Sequence, residues 1–230
     1  MSKWLLGVML LPGFLRAEAP LFRDVFKSGD LWRVEAAATA RLAFDEGTGM
    51  TITNRTGITV WFRHRLTAPV TISYTATVRS TGRVSDLNCF WMATDPAQPD
   101  GDLFAPGAGR RDGTFASYDA LRTYYVGYGG NTNTTTRFRR YDGTGARPLL
   151  PAHDLSAPEF LLQPDQAYRI TITADENGRV QFIRDGEVVF DWTDPAPLRS
   201  GWFGFRSVDS QIEIRDFAVH AGVSPTAAAR

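Results

Sequence analysis

The densest group of chemically able side chains lies between Arg122 and Tyr141. Alternation along 121–128 puts Arg122, Tyr124, Val126 and Tyr128 on one face, with Thr123, Tyr125 and Gly127 opposite. Along 134–141, Thr135, Arg137, Arg139 and Tyr141 share a face, with Thr136, Phe138 and Arg140 behind them. The link GGNTNT is polar and Gly-rich, which suits a hairpin. Pairing of the two strands is then expected to present Tyr124, Tyr128, Arg137 and Arg139 together. A third strand adds Asp86 and Asn88, with Leu87, Cys89 and Trp91 turned to the core.

Such a set can grip a carboxylate, because a planar guanidinium makes two parallel hydrogen bonds to it. It can also remove a proton α to that carboxylate, provided the enolate-like intermediate is neutralised and a Tyr or His moves protons. A Tyr base needs its pKa lowered from about 10, which clustered Arg favour. The candidate proton-transfer residues are Tyr128, Tyr124 and His153. The candidate ligand-binding residues are Asn88, Arg122, Asn131, Arg137, Arg139 and Tyr141. His153 enters because RPLLPAHDL places it in a Pro-restricted loop, between Arg147 and Asp154. The structural alternative is that Arg and Tyr on a sheet face pair across strands without any ligand.

The elements that must position these residues read as short strands between Gly, Pro, Asn and Asp turns. They fall at 21–26, 40–44, 49–54, 58–66, 70–79, 85–93, 121–128, 134–141, 167–174, 179–184, 187–192, 201–207 and 211–219. In 70–79, Val70, Ile72, Tyr74, Ala76 and Val78 alternate against Thr71, Ser73, Thr75, Thr77 and Arg79, the period of a strand with one buried face. Asn-Gly in 175–179 and Asp-Gly in 184–187 mark hairpin turns. Two long loops, 95–118 and 142–164, interrupt the pattern. So many strands in one domain over 20–221 imply two packed antiparallel sheets, a jelly roll. A flexible tail is expected over 222–230.

Composition narrows the partners. Lys+Arg and Asp+Glu both number 25, and all but 2 of the cations are Arg. A neutral chain is a poor match for a nucleic-acid backbone, and no polybasic run suits an anionic membrane. A GC-rich genome accounts for the Arg excess, but not for Arg122, Arg137, Arg139 and Arg140 falling so close together. Residues 1–19 have Lys3, an apolar run from Trp4 to Leu15 too short to span a bilayer, and small residues at Ala17 and Ala19. This is the pattern of a signal peptide, so the protein is expected to be exported, periplasmic or secreted, with no membrane span. Cys89 is the single cysteine and reads as a core thiol. No obligate protein partner is implied. No Gly-x-Ser-x-Gly elbow, nucleotide-binding Gly loop or metal-ligand spacing of His and Cys is present. No cofactor is therefore expected, although DPAQPDGD at 95–102 is acidic enough for a Ca²⁺ loop.

LWRVEA, TVWFRH, the segment beginning DPAQPDGDLFAPG, and GWFGFR with IEIRDFAVH together resemble a concanavalin A-like jelly-roll β-sandwich. Over residues 21–220 the chain is similar to the YesU-like proteins of bacterial rhamnogalacturonan-utilisation operons. It also resembles related domains of glycan-degrading bacteria that carry SDLNCFWMATDP and YYVGYGGNTNTTTRFRRYDG. The resemblance implies an all-β fold and an acidic poly- or oligosaccharide partner of pectic type. With the residues above, it makes a polysaccharide lyase acting by β-elimination the leading expectation. The alternatives are a non-catalytic glycan-binding module and a glycoside hydrolase with a dispersed carboxylate pair.

Overall fold

The computed structural model describes residues 19–36, 40–106, 108–109 and 111–223. The expected leader, up to residue 18, and the tail from 224 onward lie outside the described residues.

Among the described residues, sixteen strands form two sheets in which every pairing is antiparallel. The first sheet runs β14 (Glu187–Thr193), β13 (Arg179–Arg184), β12 (Ala167–Ala174), β7 (Val70–Val78), β16 (Gln211–Ala221), β4 (Gly49–Thr53), β3 (Arg41–Asp45), and β1 (Phe22–Asp24) also pairs with β16. The second runs β11 (Asp154–Leu155), β10 (Thr135–Asp142), β9 (Arg122–Gly129), β8 (Leu87–Thr94), β15 (Ser200–Val208), β5 (Gly57–Phe62), β2 (Trp32–Ala36), and β6 (Leu66–Thr67) also pairs with β15. The all-β two-sheet expectation is met. The strand 58–66 is broken into β5 and β6, and β2 and β11 are additional. β2 carries the period-two pattern, Trp32, Val34 and Ala36 against Arg33 and Glu35, but it is a five-residue edge strand.

The inner faces pack into one aromatic-rich core. Val70, Ile72, Tyr74, Ala76 and Val78 of β7 meet Cys89, Trp91, Val126, Phe203 and Phe205 of the second sheet. Cys89 is a core thiol as expected, and burial pushes it up to about 12.

The second sheet is apolar on its outer face too. Trp61, Phe90, Tyr125, Tyr141 and Trp202 form a smaller core there with Leu103, Tyr118 and Leu121 of the segment between β8 and β9. The long segment expected as a loop over 95–118 is therefore a cap on the outer face of the second sheet. Each large side chain so buried contributes about 1.5–3 kcal/mol relative to exposure. This explains why every residue of β8 is buried, and why apolar side chains fall on both faces of LNCFWMAT. The cap is held by Glu35, which accepts bonds from Arg111 Nε and Nη2 and from Trp61 Nε1, the last at 2.7 Å. Gly57 and Gly113 touch through their backbones: a Cβ on Gly57 would lie 1.8 Å from the Gly113 carbonyl oxygen.

Candidate functional site

One row of side chains crosses the second sheet on its outer face. Cross-strand partners run from Glu35 to Thr59, Arg206, Asn88, Gly127, Arg137 and Asp154. Antiparallel neighbours in such a row have Cβ atoms about 5 Å apart. At Gly127 the row lacks a side chain, and the Tyr125 ring leans over the gap: a Cβ there would meet Tyr125 Cε1 and Oη at 3.1 Å. A cavity of about 310 Å³ opens over this row. That volume is at the low end of the range for small-ligand sites, about 300–1,000 Å³.

Four arginines line the cavity, and their ties differ. Arg137 is clamped from outside by Asp154 through bonds of 2.7 and 3.0 Å, which hold that carboxyl below its usual range. Arg147 makes the same two-pronged bond to Asp119 at 2.7 Å. Arg139 Nη1 donates to the Arg147 carbonyl oxygen. Arg206 is only 2% exposed, yet it forms no salt bridge with a carboxylate among the described residues. Its Nη1 donates to the Gly113 carbonyl at 2.9 Å and to Thr59 Oγ1 at 3.2 Å. Its guanidinium lies 4.8 Å from the Phe115 ring centroid and 5.0 Å from that of Tyr118. Phe115 receives Arg147 as well, at 4.3 Å. Burial lowers the Arg206 pKa, the mark of a cation kept from water. Asp86 is the carboxylate lining the cavity, and it is committed to Arg83 Nη2 at 2.9 Å and Ser85 Oγ at 2.7 Å. The floor and walls are thus cationic, and a buried guanidinium of this kind calls for an anion.

Of the residues expected from sequence, Asn88, Asn131, Arg137 and Arg139 come together at this cavity. Asn131 belongs to a left-handed turn in which Asn131, Thr132 and Asn133 have φ of 51°, 62° and 59°. Such backbone is costly for a β-branched Thr and sets the cavity rim. Asn133 ties this turn to the 142–164 segment by exchanging hydrogen bonds with Leu162. Arg122 stays exposed at the strand end, its Nε 3.4 Å from the Asp142 carbonyl. Tyr141 lies beneath the cavity, its ring centroid 5.8 Å from that of Tyr125, and burial pushes its phenol up to about 12.

The expected shared face of Tyr124, Tyr128, Arg137 and Arg139 is corrected by the register. Arg137 pairs with Gly127 and Arg139 with Tyr125, so odd residues share the outer face. Tyr124 and Tyr128 point the other way, into the core between the sheets. Tyr124 donates to Asp194 Oδ2 at 2.7 Å and accepts from the Leu198 N–H at 3.0 Å. Arg140 Nε donates to the same carboxylate oxygen at 2.7 Å. Tyr128 accepts from Arg184 Nη1 at 3.2 Å. Burial raises both phenols, so neither has the lowered pKa that a Tyr base needs. Tyr124→Phe is expected to cost about 1–2 kcal/mol in urea unfolding, because the buried Asp194 carboxylate loses one of its donors and the Leu198 N–H loses its acceptor.

His153 is displaced in the same sense. It lies on the inner side of β10, edge-on to Phe138 at 4.9 Å, Phe190 at 5.9 Å and Trp192 at 6.1 Å. It lines a separate apolar cleft with Pro148, Leu150 and Trp192. Burial lowers its pKa, so the folded state favours the neutral ring. The unfolded chain then binds more protons below its ordinary His value of about 6.5, and stability falls as pH drops from 7 toward 5. His153→Gln is expected to lose part of that slope when urea midpoints at pH 7 and pH 5.5 are compared.

Sequence reasoning missed Arg206, Tyr125, Gly127, Arg147 and Phe115. The signal for Arg206 was present in GWFGFR, where Phe203 and Phe205 alternate with Trp202, Gly204 and Arg206. The acidic segment 95–102 forms turns in which Asp95 and Asp102 accept from the N–H groups of Ala97 and Phe104, each at 2.9 Å. Among the described residues, no three His, Cys, Asp or Glu converge as metal ligands. Nor is any helix among them long and apolar enough to cross a membrane.

Residues 52–217 match the model of a family described as Domain of unknown function (DUF6250). No curated protein matches the chain. Among solved structures, a protein of unknown function with a galectin-like fold from Bacillus subtilis is 22% identical. That match has a TM-score of 0.67 and covers 88% of this chain and 96% of that one. The carbohydrate binding module CBM66 from Bacillus subtilis is 11% identical with a TM-score of 0.55, covering 83% and 96%. The VIP36 exoplasmic/lumenal domain, in a Ca²⁺/Man3GlcNAc-bound form, is 12% identical with a TM-score of 0.54, covering 86% of each chain. At these identities the likeness is one of fold, a galectin-like or concanavalin-like jelly roll.

Proposed function

The chain belongs to the family described as Domain of unknown function (DUF6250), and from that premise and the site above we propose that it binds acidic glycans in the arginine-lined cavity of its second sheet. The observation that carries this reading is Arg206, a buried cation that forms no salt bridge among the described residues and faces a cavity whose one carboxylate, Asp86, is committed to Arg83 and Ser85. A uronate carboxylate supplies that charge, with Arg137 and Arg139 on the opposite wall. Aromatic and polar groups around a small cavity suit a sugar ring. Two proteins of the same fold, a carbohydrate binding module and a lumenal domain in a Man3GlcNAc-bound form, favour the same class of ligand. A leader-like N-terminus fits work outside the cytoplasm, where such glycans are met.

Binding is tested by titration calorimetry with matched oligosaccharides. Uronate-bearing ones are expected to bind at least about tenfold more tightly than their neutral counterparts, a difference of roughly 1.4 kcal/mol. Equal affinities would remove the acidic-glycan reading. Tyr124→Phe should leave these affinities unchanged, since its hydroxyl serves the inner core.

β-Elimination at the same carboxylate is a second reading, favoured by Tyr125, whose ring leans over Gly127 beside the arginines. Burial raises that phenol, while Arg206 acts to lower it. Binding without turnover is the expected outcome. An absorbance rise at about 235 nm from an unsaturated uronate product, lost in Tyr125→Phe, would establish the lyase instead.

A further inference from the structure

We propose that the cavity takes the non-reducing terminal residue of a uronate chain, with Arg206 on its carboxylate and Asn88 on the free hydroxyl beside it. The proposal deepens the acidic-glycan reading and rests on it.

Asn88 is 3% exposed, lines the cavity and is the direct cross-strand partner of Arg206. Its Nδ2 donates to Asp86 Oδ1 at 3.1 Å. Asp86 is itself fixed through its other oxygen by Arg83 and Ser85. The amide is therefore oriented with its donors toward Asp86, and its Oδ1 is a buried acceptor without a partner among the described residues. An acceptor of that kind asks for a donor from a ligand. A guanidinium with N–H groups to offer stands next to it across the strand pair.

The complementary ligand carries an anion and a hydroxyl donor side by side. A carboxylate or sulfate alone would serve Arg206 but give Asn88 Oδ1 no hydrogen. In a hexuronate the carboxylate is borne on C5, whose own oxygen is the ring oxygen and has no proton, and the neighbouring exocyclic oxygen is O4. Inside a 1→4-linked chain O4 carries the next sugar and has no proton. At the non-reducing end it is a free hydroxyl. The Asn88 acceptor thus separates chain ends from chain interiors, while Arg206 separates acidic from neutral residues.

The test is titration calorimetry on the full chain with methyl uronosides of the gluco and galacto series, their 4-O-methyl ethers and the corresponding neutral methyl glycosides. In the better-binding series, the ether is expected to bind about tenfold more weakly than the uronoside, and the neutral glycoside at least as weakly. In Asn88→Ala the penalty for the ether should fall below about twofold. Equal binding of uronoside and ether by the native protein overturns this inference and leaves the acidic-glycan reading standing. A penalty that persists in Asn88→Ala overturns the role of Asn88. A neutral glycoside that binds as well as the uronoside, or no binding by any probe, overturns both. Because the native comparison needs no variant, it decides the matter even if Asn88→Ala does not fold.

Discussion

Arg206→Met is expected to lower affinity for uronate oligosaccharides about a hundredfold while changing stability by no more than about 1–2 kcal/mol. The binding loss is roughly 2.7 kcal/mol, within the 2–5 kcal/mol typical of truncating one partner of a buried charge pair. Stability responds differently because two effects oppose. Methionine fills a similar volume and removes a desolvated cation that has no carboxylate among the described residues, which favours the folded state. Against that, the Gly113 carbonyl and Thr59 Oγ1 lose a donor, and Phe115 and Tyr118 lose their cation contact. Calorimetry and urea unfolding on the same preparation read both quantities. A several-kcal/mol loss of stability with glycan binding intact would make Arg206 a strut, and the cavity would lose its central residue.

Gly57→Ala should be a strongly damaging single methyl group on the outer face. The backbone at Gly57 is not in the left-handed region, so the cost is steric. The new Cβ would sit 1.8 Å from the Gly113 oxygen, 2.9 Å from its carbonyl carbon and 3.0 Å from Arg206 Nη2. Both obstructing groups belong to the site: the Gly113 carbonyl is the acceptor for Arg206. Relief requires the cap to lift from β5. A loss of about 3 kcal/mol is expected, at the upper end of overpacking, together with weaker glycan binding. Gly109→Ala, in the same segment with open space around it, should stay within about 0.5 kcal/mol. Similar effects for the two variants would show that the Gly57–Gly113 contact does not hold the cap.

Much of the fold was legible because β7 and its neighbours bury one face, and period-two alternation reports that directly. The parity between β9 and β10 was not legible. Both strands were correctly read, but a shift of one residue in pairing moves every side chain to the other sheet face. The pairing is fixed by the 130–134 turn, whose left-handed Asn131, Thr132 and Asn133 follow no standard two-residue hairpin. Tyr125 rather than Tyr124 therefore faces the arginines. The cap was read as loop because Leu103, Tyr118 and Leu121 are too widely spaced to show a period. Asn88 survived the transition because Leu87, Cys89 and Trp91 alternate against it on β8.

The capped outer face gives the molecule two hydrophobic cores of unequal size, which are expected to open as separate units. The core between the sheets draws on both sheets, whereas the outer core depends on one surface segment pinned by Glu35, Arg111 and the Gly57–Gly113 contact. Partial opening of that segment leaves the sandwich intact but removes Gly113 and Phe115 from around Arg206. Amide hydrogen exchange in the cap should then be faster than in β7 and β16, and a protease should nick the cap before the sheets separate. A glycan held against Arg206 would select the closed form, and occupancy would be recorded as slower exchange and slower cleavage in a segment some of whose residues never touch the sugar.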